Sequence, residues 1–250
     1  MNLAEQLKVW TSRGFSEERA EAVVLMREAA IVLFEAFPDV LLLVGGASLI
    51  LFQNSVRHSA DLDFVALEAN LPPVERLTGV LTDGLRPLAE LLELAPLKFT
   101  TLNAGLDLTK WMVLGKQGKS LFTIDIGGIG SVIQQAAEAH ELEAMGLART
   151  VNVKSASRDQ RILKARDAYD ILLLLNRGAT LSGNLEKHLE DMLAGEFDSE
   201  RIRERIEQVD SKLCRADLKN ILPDAEYAPL EESGFEPLRD ALRHVFAKSL

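Results

Sequence analysis

Between residues 39 and 65 the chain changes its apolar period twice, and this order of segments restricts the fold more than any other feature. Asp39-Val40-Leu41-Leu42-Leu43-Val44 is a short apolar run suited to a buried strand. Gly45-Gly46 follows, then Ala47-Ser48-Leu49-Ile50-Leu51-Phe52, which fits the opening of a helix over 47–54. Next comes Arg57-x-Ser59-x-Asp61-Leu62-Asp63-Phe64, where the apolar, β-prone Leu62, Phe64 and Val65 make 61–67 a strand. Strand side chains alternate, so Asp61 and Asp63 share one face.

Two carboxylates on one strand face repel each other unless a cation lies between them. Mg²⁺ suits that position, because it takes one or two carboxylates and completes its octahedron with water and substrate phosphates. Upstream, Gly45 and Gly46 allow a tight turn and a close ligand approach, and Ser48 is expected to cap the helix. Free N–H groups at a helix start attract phosphate, so Gly45, Gly46 and Ser48 form an expected phosphate cradle. Arg57 and Ser59 stand between that cradle and the acids. With 38 acidic residues among 250, an isolated Asp-x-Asp arises readily by chance. The cradle placed before it makes the pair informative.

The chain is long enough to bury a real core, and 47% hydrophobic with 26% charged residues match an ordinary soluble protein. A formal net charge of −10 argues against broad coating of nucleic acid, while leaving room for a local basic patch. One cysteine, Cys214, excludes an internal disulfide and suits a reducing cytoplasm. The start, MNLAEQLKVW, carries acidic and polar residues where a signal peptide would be apolar, and no apolar run approaches a membrane span. A cytoplasmic protein without a membrane partner is expected.

Elsewhere, 16–36 reads as an amphipathic helix capped by Ser16, and Pro72-Pro73 opens another. Strands are expected at 97–102, 107–114 and 121–126, the last two joined by a turn at 116–119. A helix over 132–145, a brief element at 151–153 and a helix over 159–176 follow. Beyond 180 only helices are expected, at 184–194, 198–211 and 235–248, with Pro223, Pro229 and Gly234 marking a loop. This gives an α+β chain: an α/β domain over 1–150 and a helical domain over 151–250.

Asp125 interrupts an apolar strand, where an uncompensated carboxylate is expensive. As a third acid beside Asp61 and Asp63 it would complete a two-metal site and accept the proton of an attacking hydroxyl. Lys154, Arg158, Arg161, Lys164 and Arg166 form a basic island suited to a triphosphate or a polyanion, with Asp167 and Asp170 three residues apart on its helix. The four histidines show no zinc spacing, and neither a nucleophilic triad nor a complete P-loop is present.

Taken together, Gly45-Gly46-x-Ser48, Arg57-x-Ser59-x-Asp61-Leu62-Asp63-Phe64, the strand acid Asp125, Lys154 and Arg166-Asp167-x-x-Asp170 resemble the AbiEii/AbiGii-type nucleotidyltransferases. These are toxins of type IV toxin–antitoxin and abortive-infection systems within the DNA polymerase β-like superfamily. The resemblance implies a mixed sheet with flanking helices, followed by a helical C-terminal domain. It also implies Mg²⁺, or Mn²⁺ in its place, on Asp61, Asp63 and Asp125, and an NTP substrate held at Gly46 and Ser48 and steadied by Lys154. Asp167 or Asp170 would act in chemistry or orientation, tRNA or another RNA would be the acceptor, and an antitoxin protein would be the partner. Two other readings use the same residues: a glycosyltransferase holding a nucleotide-sugar through Asp-x-Asp, and a non-catalytic binder of a nucleotide or a partner protein.

Overall fold

Asn2 opens the first helix, α1 (Leu3–Thr11): its side chain accepts from the Glu5 N–H, and the Glu5 carboxylate accepts from the Asn2 N–H. This reciprocal cap satisfies two amides that the first turn cannot. The structure, a computed structural model, describes residues 2–38, 40–67, 72–104, 108–129, 164–179 and 199–247. It divides into two units, Met1–Gln134 and Gln135–Leu250.

In the first unit, α2 (Glu17–Ala36) starts at Ser16, whose hydroxyl accepts from the Arg19 N–H. There follow β1 (Leu41–Val44), α3 (Gly45–Gln53), β2 (Asp61–Leu67), α4 (Val74–Leu91), β3 (Lys98–Ala104), β4 (Leu108–Leu114) and β5 (Ser120–Ile129). The strands form one mixed sheet in the order β1-β2-β5-β4-β3, with β2 parallel to β5 and the other pairs antiparallel. One face is apolar. Leu62 and Phe64 of β2, Trp111 and Val113 of β4, and Phe122, Ile124 and Ile126 of β5 pack with Leu25, Met26 and Leu33 of α2 and Leu77, Leu81 and Leu85 of α4. Leu62, Trp111 and Ile124 are fully excluded from solvent. The alternate residues of the same strands make the opposite face.

Two expectations in this unit change. The helix expected from 47 begins at Gly45, directly after the strand, and no side chain caps it. Ser48 therefore lies inside the first turn, where its hydroxyl donates to the Gly45 carbonyl at 2.8 Å instead of capping. Gly45 adopts a φ of +74°, and that left-handed backbone lets the helix start without a linker. In addition, β5 continues through Gly127-Gly128 to Ile129 alongside β2.

The second unit is helical where described: α5 (Ala165–Asn176), α6 (Ser199–Glu207), α7 (Ser211–Leu218), α8 (Asp224–Glu232) and α9 (Glu236–Val245). Ala168, Ile171 and Leu174 of α5 are buried, as are Leu238, Ala241 and Leu242 of α9, and these two helices pack together. The single helix expected over 198–211 ends at Glu207, and Asp210 caps the next by accepting from the Leu213 N–H. The loop expected around Pro223 and Pro229 is helical instead. Pro223 stands at the N-cap of α8, where no N–H is needed, and buried Tyr227 and Leu230 hold the turn that contains Pro229. Cys214 is buried on α7, and burial pushes its thiol up to about 12. The expected elements at 132–145, 151–153 and 184–194 lie outside the described residues, as does the start of the one expected over 159–176. Among the described residues, no helix is long and apolar enough to cross a membrane.

Candidate active site

On the face of the sheet opposite α2 and α4, register decides which acids meet. Asp63 of β2 lies directly opposite Asp125 of β5, and Asp61 lies opposite Thr123. The alternation that buries Leu62 and Ile124 on one side therefore puts Asp61, Asp63, Thr123 and Asp125 together on the other. On the far side of β5, Lys110 of β4 is the register partner of Asp125.

The side chains follow that layout. Thr123 Oγ1 donates to Asp61 Oδ1 at 2.7 Å, which fixes the orientation of that carboxylate. Lys110 Nζ donates to Asp125 Oδ2 at 2.8 Å. Asp125 Oδ1 is buried and has no hydrogen-bond partner. Burial is the largest influence on the Asp125 carboxyl and pushes its pKa up; Lys110 opposes this, and the charges of Asp63 and Asp61 add to it. Lys110 is shifted up in turn, chiefly by its hydrogen bond to Asp125 and further by the charges of Asp125, Asp61 and Asp63. The four groups thus share one electrostatic field.

The segment between α3 and β2 carries the second cluster. Arg57 and Ser59 are buried, at 6% and 8% exposure, against the first turn of α3. A Cβ on Gly46 would stand 2.6 Å from Arg57 Nη2 and 2.7 Å from Ser59 Oγ, so this glycine is needed for close packing. The Arg57 N–H donates to Ser55 Oγ, and its Nη1 donates to the His58 carbonyl. His58 packs edge-on against Phe15, and its Nδ1 is buried without a partner. Burial, then the charges of Arg19 and Arg57, lower its pKa to about 4 against a weaker opposing pull from Asp61. The imidazole is therefore neutral at neutral pH.

Asp167 and Asp170 belong to the second unit. Asp167 sits in the first turn of α5, with Arg166 Nε 3.9 Å away, and Asp170 is buried on the same helix. Lys154 lies outside the described residues. Sequence reasoning missed Lys110 and Thr123. The hairpin held the signal: counting outward from its turn pairs Val113 with Phe122, Trp111 with Ile124 and Lys110 with Asp125.

A divalent ion fits this donor set in one respect that the structure itself supplies. Asp125 offers a buried carboxylate oxygen with no partner, on the face where Asp61 is already oriented. Among the described residues, no three His, Cys, Asp or Glu side chains close into a metal-holding group. A Mg²⁺ site made of two carboxylates, water and phosphate oxygens requires no such group.

The family model for the nucleotidyl transferase AbiEii toxin of type IV toxin–antitoxin systems matches residues 31–248. Among solved structures, JHP933 from Helicobacter pylori is similar with a TM-score of 0.58 and 18% identity, over 94% of each chain. MenT4, a nucleotidyltransferase toxin from Mycobacterium tuberculosis, aligns over 98% of this chain and 99% of its own, with 17% identity and a TM-score of 0.41. Among curated proteins, none matches the chain.

Proposed function

The chain belongs to the AbiEii family of nucleotidyl transferase toxins, and from that premise we propose that it moves a nucleoside monophosphate from an NTP to an acceptor hydroxyl with the help of Mg²⁺. It would act as the toxin of a type IV toxin–antitoxin pair, in the cytoplasm, with an antitoxin protein as partner. The acceptor in this reading is the 3′ end of an RNA, tRNA first.

One observation carries the reading: Asp61, Asp63 and Asp125 meet on the polar face of β2 and β5, with Asp63 and Asp125 in register. Asp61 and Asp63 would hold the ion, with Thr123 fixing the angle of Asp61. Bound there, Mg²⁺ or Mn²⁺ supplies charge for the α-phosphate and the leaving oxygens. The acceptor oxygen forms a bond to the α-phosphorus, and the bond from that phosphorus to the bridging oxygen breaks. The electron pair leaves with pyrophosphate. The hydroxyl proton goes to Asp125, whose raised pKa suits it to receive one. The uncapped start of α3 would offer N–H groups to the triphosphate beside Gly45, Gly46 and Ser48. Buried Arg57 and Ser59 would keep that turn in place, while Lys154 would steady the phosphate charge and Asp167 or Asp170 would orient the reacting groups.

The test is incubation with each α-labelled NTP, Mg²⁺ and total RNA, following both label transfer and pyrophosphate release. One NTP should label an RNA species in the wild type and none should do so in Asp63→Ala. Pyrophosphate release without labelled RNA would move the acceptor to a protein or a small molecule. Near-normal turnover by Asp63→Ala would overturn the assignment.

A further inference from the structure

The row of register partners Val44, Asp63, Asp125 and Lys110 crosses β1, β2, β5 and β4 in a line. Along it, two carboxylates are followed by an ammonium. Lys110 Nζ holds Asp125 Oδ2 at 2.8 Å, with the two side chains only 32% and 22% exposed. A strand-borne lysine in that register is not a mobile surface charge: its backbone is pinned on both sides, by β3 and by β5. Asp125 is thus left with one oxygen to give to anything else.

A two-ion centre places its cations about 4 Å apart and asks carboxylates to serve both. Here the cation nearest Asp125 is part of the chain.

Resting on the nucleotidyl-transfer reading above, we infer that Lys110 takes the place of a second metal ion: the site admits one divalent cation, at Asp61 and Asp63, while the ammonium of Lys110 neutralises and orients Asp125. Lys110 is therefore a positioning residue that sets metal stoichiometry.

Mn²⁺ alone is the probe, titrated into the full chain with free Mn²⁺ counted by electron paramagnetic resonance. The wild type and Lys110→Arg should each bind one ion tightly. Lys110→Met, which keeps length and removes charge, should bind two, because Asp125 then needs a cation. Two tight ions on the wild type would overturn this inference while leaving metal-dependent transfer standing, as would an unchanged count of one on folded Lys110→Met. No tight ion on the wild type, either alone or with a non-hydrolysable NTP analogue added, would overturn the metal-dependent reading itself, and this inference with it. Even if Lys110→Met fails to fold, a wild-type count of two still overturns the inference.

Discussion

The two faces of the central sheet are made from alternate residues of the same strands, yet they do opposite work. Leu62, Phe64, Trp111, Val113, Ile124 and Ile126 are all at most 2% exposed beneath α2 and α4. Asp61, Asp63, Lys110, Thr123 and Asp125, their neighbours in sequence, are only half-buried and interact through charge and hydrogen bonds. Burial of one face stabilises the unit, so the other can gather three carboxylates at some cost to stability. Natural folds carry such local conflict where function needs it.

The sharpest way to break this comparison is to exchange the roles. Asp63→Ala should cut NTP turnover by at least about 10³-fold, equivalent to about 4 kcal/mol of transition-state stabilisation. Its thermal midpoint should change little, since the repulsion relieved with Asp61 and Asp125 offsets the contacts that Asp63 gives up. Phe122→Ala, on the apolar face, should do the reverse. It should cost about 3–5 kcal/mol in denaturant unfolding, while the folded fraction keeps its turnover number. If Asp63→Ala melted far lower, or Phe122→Ala lost turnover in its folded state, the division of labour between faces would be wrong.

The apolar face was the more legible of the two. Period-two patterns in 61–67 and 121–126 mark β2 and β5, because a face packed on helices must be apolar at every second position. The same alternation made Asp61, Asp63 and Asp125 visible, since acids stand out in such strands. Lys110 did not stand out. A lysine in a strand reads as solvated until pairing reveals what lies across from it, and pairing is a long-range fact. Ser48 was misread for a related reason: where a helix begins depends on Gly45 taking a left-handed backbone, and residue type alone does not determine that. The Asn-x-x-Glu cap of α1 went unread, although Asn2 and Glu5 form a local signal for a helix start. Pro223 and Pro229 suggested a loop because proline propensity is local, whereas the burial of Tyr227 and Leu230 that keeps α8 helical is tertiary.

Two predictions probe the segment joining α3 to β2. Gly46→Ala must push aside buried Arg57 and Ser59, since the new Cβ would lie 2.6 Å and 2.7 Å from their side-chain atoms. Overpacking of this kind costs about 1–3 kcal/mol, offset in part by the better helix propensity of alanine. NTP binding should weaken alongside; a variant as stable and active as wild type would show that the contact yields easily. His58 gives the pH dependence. With its folded value lowered to about 4 from 6.5, the unfolded chain takes up the proton first as pH falls. The stabilisation is therefore complete above the unfolded value and is lost progressively below it. Between about pH 7 and about pH 5, His58 should account for about 2 kcal/mol of lost stability, a loss that His58→Gln should lack. Identical pH–stability curves for the two proteins over that range would remove the buried neutral imidazole from the account.

Ser48 provides the finest test, because its hydroxyl serves the backbone and is proposed to serve the substrate as well. Its Oγ donates to the Gly45 carbonyl, so its single proton is committed within the first turn of α3. A phosphate oxygen brings no proton of its own, so the hydroxyl must leave Gly45 and turn its proton toward the triphosphate to contribute to binding. Ser48→Ala loses a neutral hydrogen bond worth about 0.5–1.5 kcal/mol and regains part of that through the helix propensity of alanine. Stability should therefore hardly change. A lost hydrogen bond to a charged phosphate is worth about 1.5–3 kcal/mol, less about 0.5–1.5 kcal/mol given up at Gly45, so KM for the NTP should rise by about fivefold with kcat little altered. An unchanged KM would confine Ser48 to bracing the helix start, and would leave the α3 amides as the cradle for the triphosphate.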